Sequence, residues 1–489
     1  MLGDQLSRRT GALTRHGPGE ARVVMVESRA KLAERPWHRH KLAYVLSAMR
    51  HFADELRDAG HEVDYRTADD LRDGLRDVDP ADLVVMAPSR WRLRQAFAAW
   101  GVQQVPNDAF IVGEDAFAAW ADGRKQLTME SFYRRVRADH GWLMDGDEPI
   151  AGTWNLDREN REPPPDGGLA PPRPYRPRED DIDARTRRDV ARYERELGLE
   201  LYGEDAPRLF PVTRAEARRS LRSFVATRLD GFGPFQDAVV DGEPFLWHSL
   251  LSAPLNLGLL HPAEVCDAVD AHFREHGGPL HSHEGFLRQV CGWREFVWGL
   301  YWWRMPAWRD DNALGDAGAI PSFYWDADTD MRCLQRTVGD LLDRAWTNHI
   351  QRLMILGNHA LLAGVDPQAL TEWFHALHID GYDWVMVPNV IGMGQYADGG
   401  IMGTKTYVAG GNYINRMTDY CGSCVYDPRT RTEPDSCPFN ALYWDFLDRH
   451  RSALDGNRRM APILRNLDRF GEAELDAIRE RAAQFRADG

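Results

Sequence analysis

Four cysteines in the last third of the chain constrain it more than any other feature: Cys333, Cys421, Cys424 and Cys437. The last three read Cys-Gly-Ser-Cys, twelve residues, then Cys-Pro, in a chain with only six cysteines among 489 residues. Thiols packed so closely make poor core filler, and four thiolates suit either a tetrahedral Zn²⁺ or a [4Fe–4S] cluster. Pro438 behind the final cysteine also follows the last ligand of many ferredoxin-type motifs, which leans toward iron–sulfur and leaves zinc open. A disulfide framework fits badly with a long, cysteine-poor chain whose first residues, MLGDQLSRRTG, lack the apolar stretch of a secretory signal. Cys266 and Cys291 fall in apolar helical stretches and read as buried structural thiols.

The length suffices for two or three domains with substantial cores. A formal charge of −15 gives no global sign of nucleic-acid binding, although a local basic groove is compatible with it. No apolar run approaches the ~20 residues that span a bilayer. The expectation is a soluble, cytoplasmic, monomeric protein. Most of the 17 tryptophans fall after residue 240, as core packing or, for a few, as relays between redox centres.

The first third predicts a Rossmann-like α/β domain over residues 1–140. Strand-like runs at Arg22–Glu27, Glu62–Arg66, Leu83–Pro88 and Phe110–Gly113 alternate with helical periodicity, clearest over His40–Ala59, and imply a parallel sheet. A first strand should lead into Gly3-Asp4, yet almost none precedes it, which points to a truncated or mis-assigned start. Residues 141–220 read as an interdomain linker, proline-rich and extended over 161–182. From 221 to 489 the pattern is all-helical, with the clearest segments at His248–Leu260, Glu284–Met305, Gly339–Ala363 and Pro367–His378.

Nine stretches run in order through nearly the whole chain: Leu2–Ser7 (LGDQLS), Ser47–Phe52 (SAMRHF), Gly123–Tyr133 (GRKQLTMESFY), His248–Ser252 (HSLLS), Gly292–Phe296 (GWREF), His349–Gly364 (HIQRLMILGNHALLAG), Pro388–Gly392 (PNVIG), Gly411–Cys424 (GNYINRMTDYCGSC) and Cys437–Phe446 (CPFNALYWDF). Together with the four cysteines they resemble the photolyase/cryptochrome superfamily, in its iron–sulfur bacterial cryptochrome and prokaryotic (6-4) photolyase branch.

The resemblance implies a U-shaped FAD in the helical domain and a [4Fe–4S] cluster, with Cys333, Cys421, Cys424 and Cys437 as its ligands. It implies repair of UV-damaged DNA by an electron from excited reduced flavin, the lesion being flipped out of the duplex. Ser249, Leu250, Leu251 and Ser252 would hold the pyrophosphate at a helix start, where hydroxyls and free N–H groups suit a phosphate; a plain helix cap is the other reading of Ser249. Arg352 and Asp380 would pair beside the isoalloxazine, followed by Asp383, Met386 and Asn389. Gln289, Arg294 and Glu295 would line the flavin and lesion cavity. His349 would donate a proton to a (6-4) lesion, with Asn348 beside it. Tyr407 and Tyr413 would contact the damaged bases, and Lys405 and Arg416 the phosphates. Trp325 and Trp373 would pass electrons, unless they only pack. The branch usually carries a 6,7-dimethyl-8-ribityllumazine antenna in its N-terminal domain.

Three departures bear on these expectations. Asn348-His349 stands where relatives commonly have two histidines. Met386 falls where relatives face the flavin with a polar or acidic side chain. Lys31 and Glu34 occupy positions where relatives offer an acid and an aromatic to the lumazine. The main expectation is light-driven (6-4) repair. The rival is a cryptochrome-like photoreceptor without repair, and a non-photochemical iron–sulfur DNA-binding protein stands third.

Overall fold

The computed structural model describes residues 1–165 and 168–487. In β1 (Arg22–Ser28) the buried Val23 and Met25 alternate with more exposed neighbours, the period-two pattern of a half-buried strand. It pairs in parallel with β2 (Glu62–Ala68), from Arg22 opposite Glu62 to Ser28 opposite Ala68. The helix Arg39–Asp58 joins them. His38 caps it by accepting the His40 N–H on Nδ1 at 3.1 Å, and Leu42, Leu46, Met49, Phe52 and Leu56 form its buried face. The chain leaves the helix through Gly60 at φ +86°.

β3 (Val84–Met86) and β4 (Gln103–Val105) form a second parallel ladder around the helix Trp91–Trp100. The segment at the start of the chain touches both ladders. The Met1 ammonium donates to the Val24 carbonyl at 2.9 Å, and Gln5 Nε2 to the Met86 carbonyl at 2.9 Å.

Phe110–Gly113, expected as a strand, is not one; the strand before it is Gln103–Val105 and the next is the short hairpin Met144–Asp145 with Glu148–Pro149. The reason is a side chain from the other half. Glu295 is fully buried, and its Oε2 accepts the N–H groups of Ile111 at 2.7 Å and Val112 at 3.0 Å, so those donors have no need of a strand partner. Burial pushes the Glu295 carboxyl up to about 7, against the pull of Arg294.

Beyond a stretch of irregular chain, Asp181–Leu197 is a helix whose capping box pairs Asp180 with Asp183. It lies along Arg39–Asp58 through Arg50 to Asp189 at 2.7 Å and Arg39 to Glu194 at 2.7 Å. From Arg214 onward the chain is helical, and one apolar core continues from Leu46 and Phe52 to Trp298 and Leu361. Phe110 stacks on Trp298 with centroids 3.7 Å apart, and buried Lys41 donates to the carbonyls of His375 and Gly381, tying the two halves.

Two helices differ from expectation. His248–Leu260 is helical only over Ser252–Asn256, because Leu250 sits at φ +59°. Gly339–Ala363 is interrupted: the helix Arg332–Arg344 stops at Ala345, at φ +55°, and the chain turns helical again at His349. Arg288–Arg294, Gln351–Gly357 and Val387–Gly394 are wound as π-helix. Such winding is rare and recurs at functional sites. Here it carries Gln289, Arg294, Arg352 and Asn389. Among the described residues no helix is long and apolar enough to cross a membrane.

Glu295→Ala should strand the Ile111 and Val112 donors and lower stability by about 1–3 kcal/mol. Glu295→Gln keeps an acceptor and should recover most of it. Urea unfolding midpoints of both variants check this.

Candidate functional site

Asp380 lies at the centre of a buried polar cluster. Arg352 Nη1 donates to its Oδ1 at 2.9 Å, and the Arg352 Nε to the Thr347 carbonyl at 2.8 Å. Burial alone would raise the Asp380 carboxyl, yet Arg352, His378 and a hydrogen bond from Ser252 together hold it below the usual carboxylate range. Asn256 Nδ2 donates to the Asp380 carbonyl at 2.9 Å, and Arg294 donates in turn to the Asn256 Oδ1. Thus Ser252, Arg294, Arg352 and Asp380 are brought together from four separate segments. Ser249 is not the cap of the short helix; its Oγ accepts the Leu251 N–H at 3.3 Å, one residue before the helix begins.

A residue that carried no sequence signal completes this cluster. Arg228 is fully buried, and its Nη1 donates to the His248 carbonyl while Nε and Nη2 have no acceptor. Burial, with Arg176 adding repulsion, lowers its pKa to about 10. A buried guanidinium without a counter-charge costs several kcal/mol, and a diphosphate would supply that charge. The unpaired Nε of Arg294 and Nε2 of His248 are further buried groups awaiting a partner. These residues fit a flavin dinucleotide: Arg228 would supply charge for its diphosphate, and Arg352 with Asp380 would supply a polar pair for its ring system.

His349 is the first residue of its helix. It is open to solvent yet surrounded by protein that lowers its pKa, while the Asp237 carboxylate pulls it back up. Burial raises the pKa of Asp237, with His349 and Arg161 opposing. Arg161 Nε lies 3.5 Å from Asp237. Tyr413 belongs to the same group: burial and then Asp237 push its hydroxyl up to about 12. Asp237 and Arg161 were not singled out from sequence, since a lone acid and a linker arginine carry no spacing signal. Asn348 proves to be a cap: its Oδ1 accepts the Gln351 N–H at 2.9 Å, and the Gln351 Oε1 accepts the Asn348 N–H at 3.0 Å.

The other expected residues scatter more. Gln289 is half-buried in its π-helical run. Met386 is buried, and Asn389 Nδ2 donates to the Val385 carbonyl at 2.8 Å. Both Asp383 oxygens have protein partners: the Tyr301 hydroxyl at 2.6 Å and Arg309. Tyr407 packs beside Gly403 and Lys405, and Arg416 lies over Tyr413 at 5.5 Å. Trp325 meets the buried Trp373 edge-on at 6.5 Å, and Trp373 meets His378 at 6.0 Å, which makes a continuous aromatic path to the Arg352–Asp380 pair.

The four cysteines line one small pocket, together with Met331, Ile414, Tyr420, Tyr426 and Phe439. None is in a disulfide. Burial and then the neighbouring sulfurs raise Cys437 to about 12, and burial and then Cys424 raise Cys421 to about 11. Gly411 is required beside them, because a Cβ there would lie 2.9 Å from the Cys437 Sγ. Cys266 and Cys291 are buried elsewhere, with the Cys291 Sγ donating to the Leu287 carbonyl at 3.2 Å.

At the residues expected to face an antenna, the side chains are paired with one another. Lys31 pairs with Glu34, which is also ion-paired with Arg35 at 2.9 Å and Arg90 at 2.5 Å. Lys31, Arg35 and Lys41 all lie within 5.4 Å of the Trp37 ring centre. These residues do not fit a bound lumazine.

The family model for deoxyribodipyrimidine photo-lyase-related protein matches residues 1–198. A (6-4) photolyase of Agrobacterium fabrum is 42% identical over 99% of this chain and 98% of its own. The fold is similar to a bacterial class III photolyase from Agrobacterium tumefaciens, with a TM-score of 0.54 at 15% identity over 97% of this chain and 93% of that one. A Synechocystis cryptochrome gives 0.50 at 13% identity over 76% of each chain.

The ion pair sets a pH dependence. The folded pKa of Asp380 lies below its unfolded value, so its contribution is complete above about pH 4 and fades as pH falls through the folded pKa. Asp380→Asn should cost about 3–5 kcal/mol at pH 7. The gap to the parent should narrow below about pH 4. Chemical denaturation across pH measures both.

Proposed function

The chain belongs to the photolyase/cryptochrome family, and we propose that it repairs (6-4) pyrimidine photoproducts in DNA by light-driven electron transfer. The observation that carries this reading is chain-long identity to a (6-4) photolyase with His349 open to solvent beside Asp237. The two parallel ladders and the Met1–Gln5 segment suit a Rossmann-like N-terminal sheet.

FAD, when bound and reduced, supplies the photoexcited electron for the lesion. Arg228, with the Ser249–Ser252 backbone, neutralises the diphosphate. Arg352 and Asp380 hold a fixed dipole against the ring system, and Arg294 positions Asn256 behind it. His349, as general acid, carries the proton toward the flipped-out lesion; burial lowers its pKa, and Asp237 opposes that by favouring the imidazolium. Tyr413 lines the same mouth. Asn348 starts the helix so that His349 points outward, which accounts for an asparagine at that position. Trp325 and Trp373 relay electrons inward from the surface.

A [4Fe–4S] cluster on Cys333, Cys421, Cys424 and Cys437 suits the thiol centre better than zinc. Zn–S bonds of about 2.3 Å place sulfurs about 3.8 Å apart. Among the described residues, no three of these thiols lie within 4.8 Å of one another. The wider spacing suits a multi-iron core that ties the Cys333 helix to the C-terminal segment. No lumazine is held at Lys31 and Glu34.

The test is turnover of oligonucleotides by photoreduced holoprotein under blue light. The (6-4) product should be repaired and a cyclobutane dimer left intact. Repair of neither, with normal flavin photoreduction, favours the photoreceptor. His349→Ala should cut repair about 10²–10⁴-fold without loss of flavin. Asp237→Asn removes the charge that favours imidazolium, so the alkaline limb of the pH–rate profile should move to lower pH.

A further inference from the structure

Away from the flavin cavity and the thiols, three side chains converge that neither uses. Asp230 lies on the helix Leu229–Phe235, His272 on Pro262–His276 and His283 on Leu280–Leu287. One donor atom from each lies within 4.8 Å of the others. The two imidazoles are nearly parallel, 11° apart, with centroids at 5.7 Å.

The second observation is at His283. Its side chain is fully buried, and its Nδ1 lies 3.0 Å from the Pro279 carbonyl. That bond fixes the proton on Nδ1 and leaves Nε2 as a lone-pair donor, yet Nε2 is buried without any partner. An imidazole whose far nitrogen is oriented by a backbone carbonyl is the usual outer support of a metal-ligating histidine. The space is also kept clear. Gly278, at φ +117°, has no Cβ; one there would lie 3.0 Å from His283 and 3.1 Å from Asp230 Oδ1. Asp230 is exposed, which gives an ion a path in from solvent.

The geometry points to a Zn²⁺-type site with Asp230, His272 and His283 as ligands. Two imidazoles and a carboxylate are a borderline donor set that zinc accepts. Zn–N and Zn–O bonds of about 2.0–2.2 Å require the donors to close to about 3.4 Å. Side-chain rotation supplies that movement, because Asp230 and His272 are not fully buried. Water takes the fourth position. The ion would act as a clamp. Asp230 lies two residues after Arg228, and its helix ends at Phe235, two residues before Asp237. Fixing it to two further helices would hold in place the segment that carries both residues. Ser282 already registers these elements, donating to the Asp230 carbonyl at 2.7 Å and accepting the Gly233 N–H at 3.0 Å.

The test uses cluster-loaded, flavin-loaded protein equilibrated with Zn²⁺ alone and then washed. Metal analysis should find one retained zinc per chain, and zinc K-edge absorption should show nitrogen and oxygen neighbours without sulfur. His272→Gln and Asp230→Asn, at positions that are not fully buried, should each weaken zinc binding at least ~10-fold. They should also remove the zinc-dependent rise in melting temperature, with cluster iron unchanged. Sulfur neighbours, zinc retention equal in parent and variants, or no retained zinc at all would each overturn the site.

Discussion

The buried pair of Arg352 and Asp380 organises the functional half of the molecule. Each charge would be costly alone, and together they are stable only because neighbouring segments satisfy the remaining valences. Thr347 takes the Arg352 Nε, while Ser252 and Asn256 take Asp380 from the opposite side. Asn256 is in turn held by Arg294. Segments far apart in sequence are thereby fixed around one point, and each approaches it through strained or unusual backbone: Leu250 at φ +59°, Ala345 at φ +55°, and the π-helical runs at Arg288–Arg294 and Gln351–Gly357. Strain of this kind persists where the surroundings over-determine it, which is typical of sites built for a ligand.

The same logic explains how the two halves are joined. Glu295 belongs by sequence to a flavin-side motif, but its carboxylate holds Ile111 and Val112 of the N-terminal half. Asp383 likewise gives its oxygens to Tyr301 and Arg309, and Tyr301 accepts the Trp91 N–H at 2.8 Å. The ionic chain continues through Glu372 and Arg35 to Glu34 and Lys31. The N-terminal half thus serves as a buttress for the helical half, with Lys31 and Glu34 at the end of that ionic chain.

What sequence revealed divides along physical lines. Period-two runs with β-branched residues gave β1 and β2, and the 3.6-residue stripe from Leu42 to Leu56 gave the helix between them, because both patterns are local. Phe110–Gly113 has the same local character, yet a distant carboxylate captured its donors. The breaks at Leu250 and Ala345 were hidden because neither residue is a glycine, and positive φ at a leucine or alanine is set by tertiary contacts. The cysteines were legible through their spacing, and Arg352 and Asp380 only through the family resemblance. Arg228, Asp237 and Arg161 were not, because their significance lies in what surrounds them: a buried cation without a counter-charge, and a carboxylate facing a solvent-open histidine.

The most direct measurement is the action spectrum of (6-4) repair by the anaerobically photoreduced holoprotein. Repair yield should track the absorption of reduced FAD across the near-ultraviolet and blue, with no added lumazine band and none in the dark. Repair that proceeds in darkness, or an absence of repair at every wavelength although the flavin is fully reduced, would contradict the account.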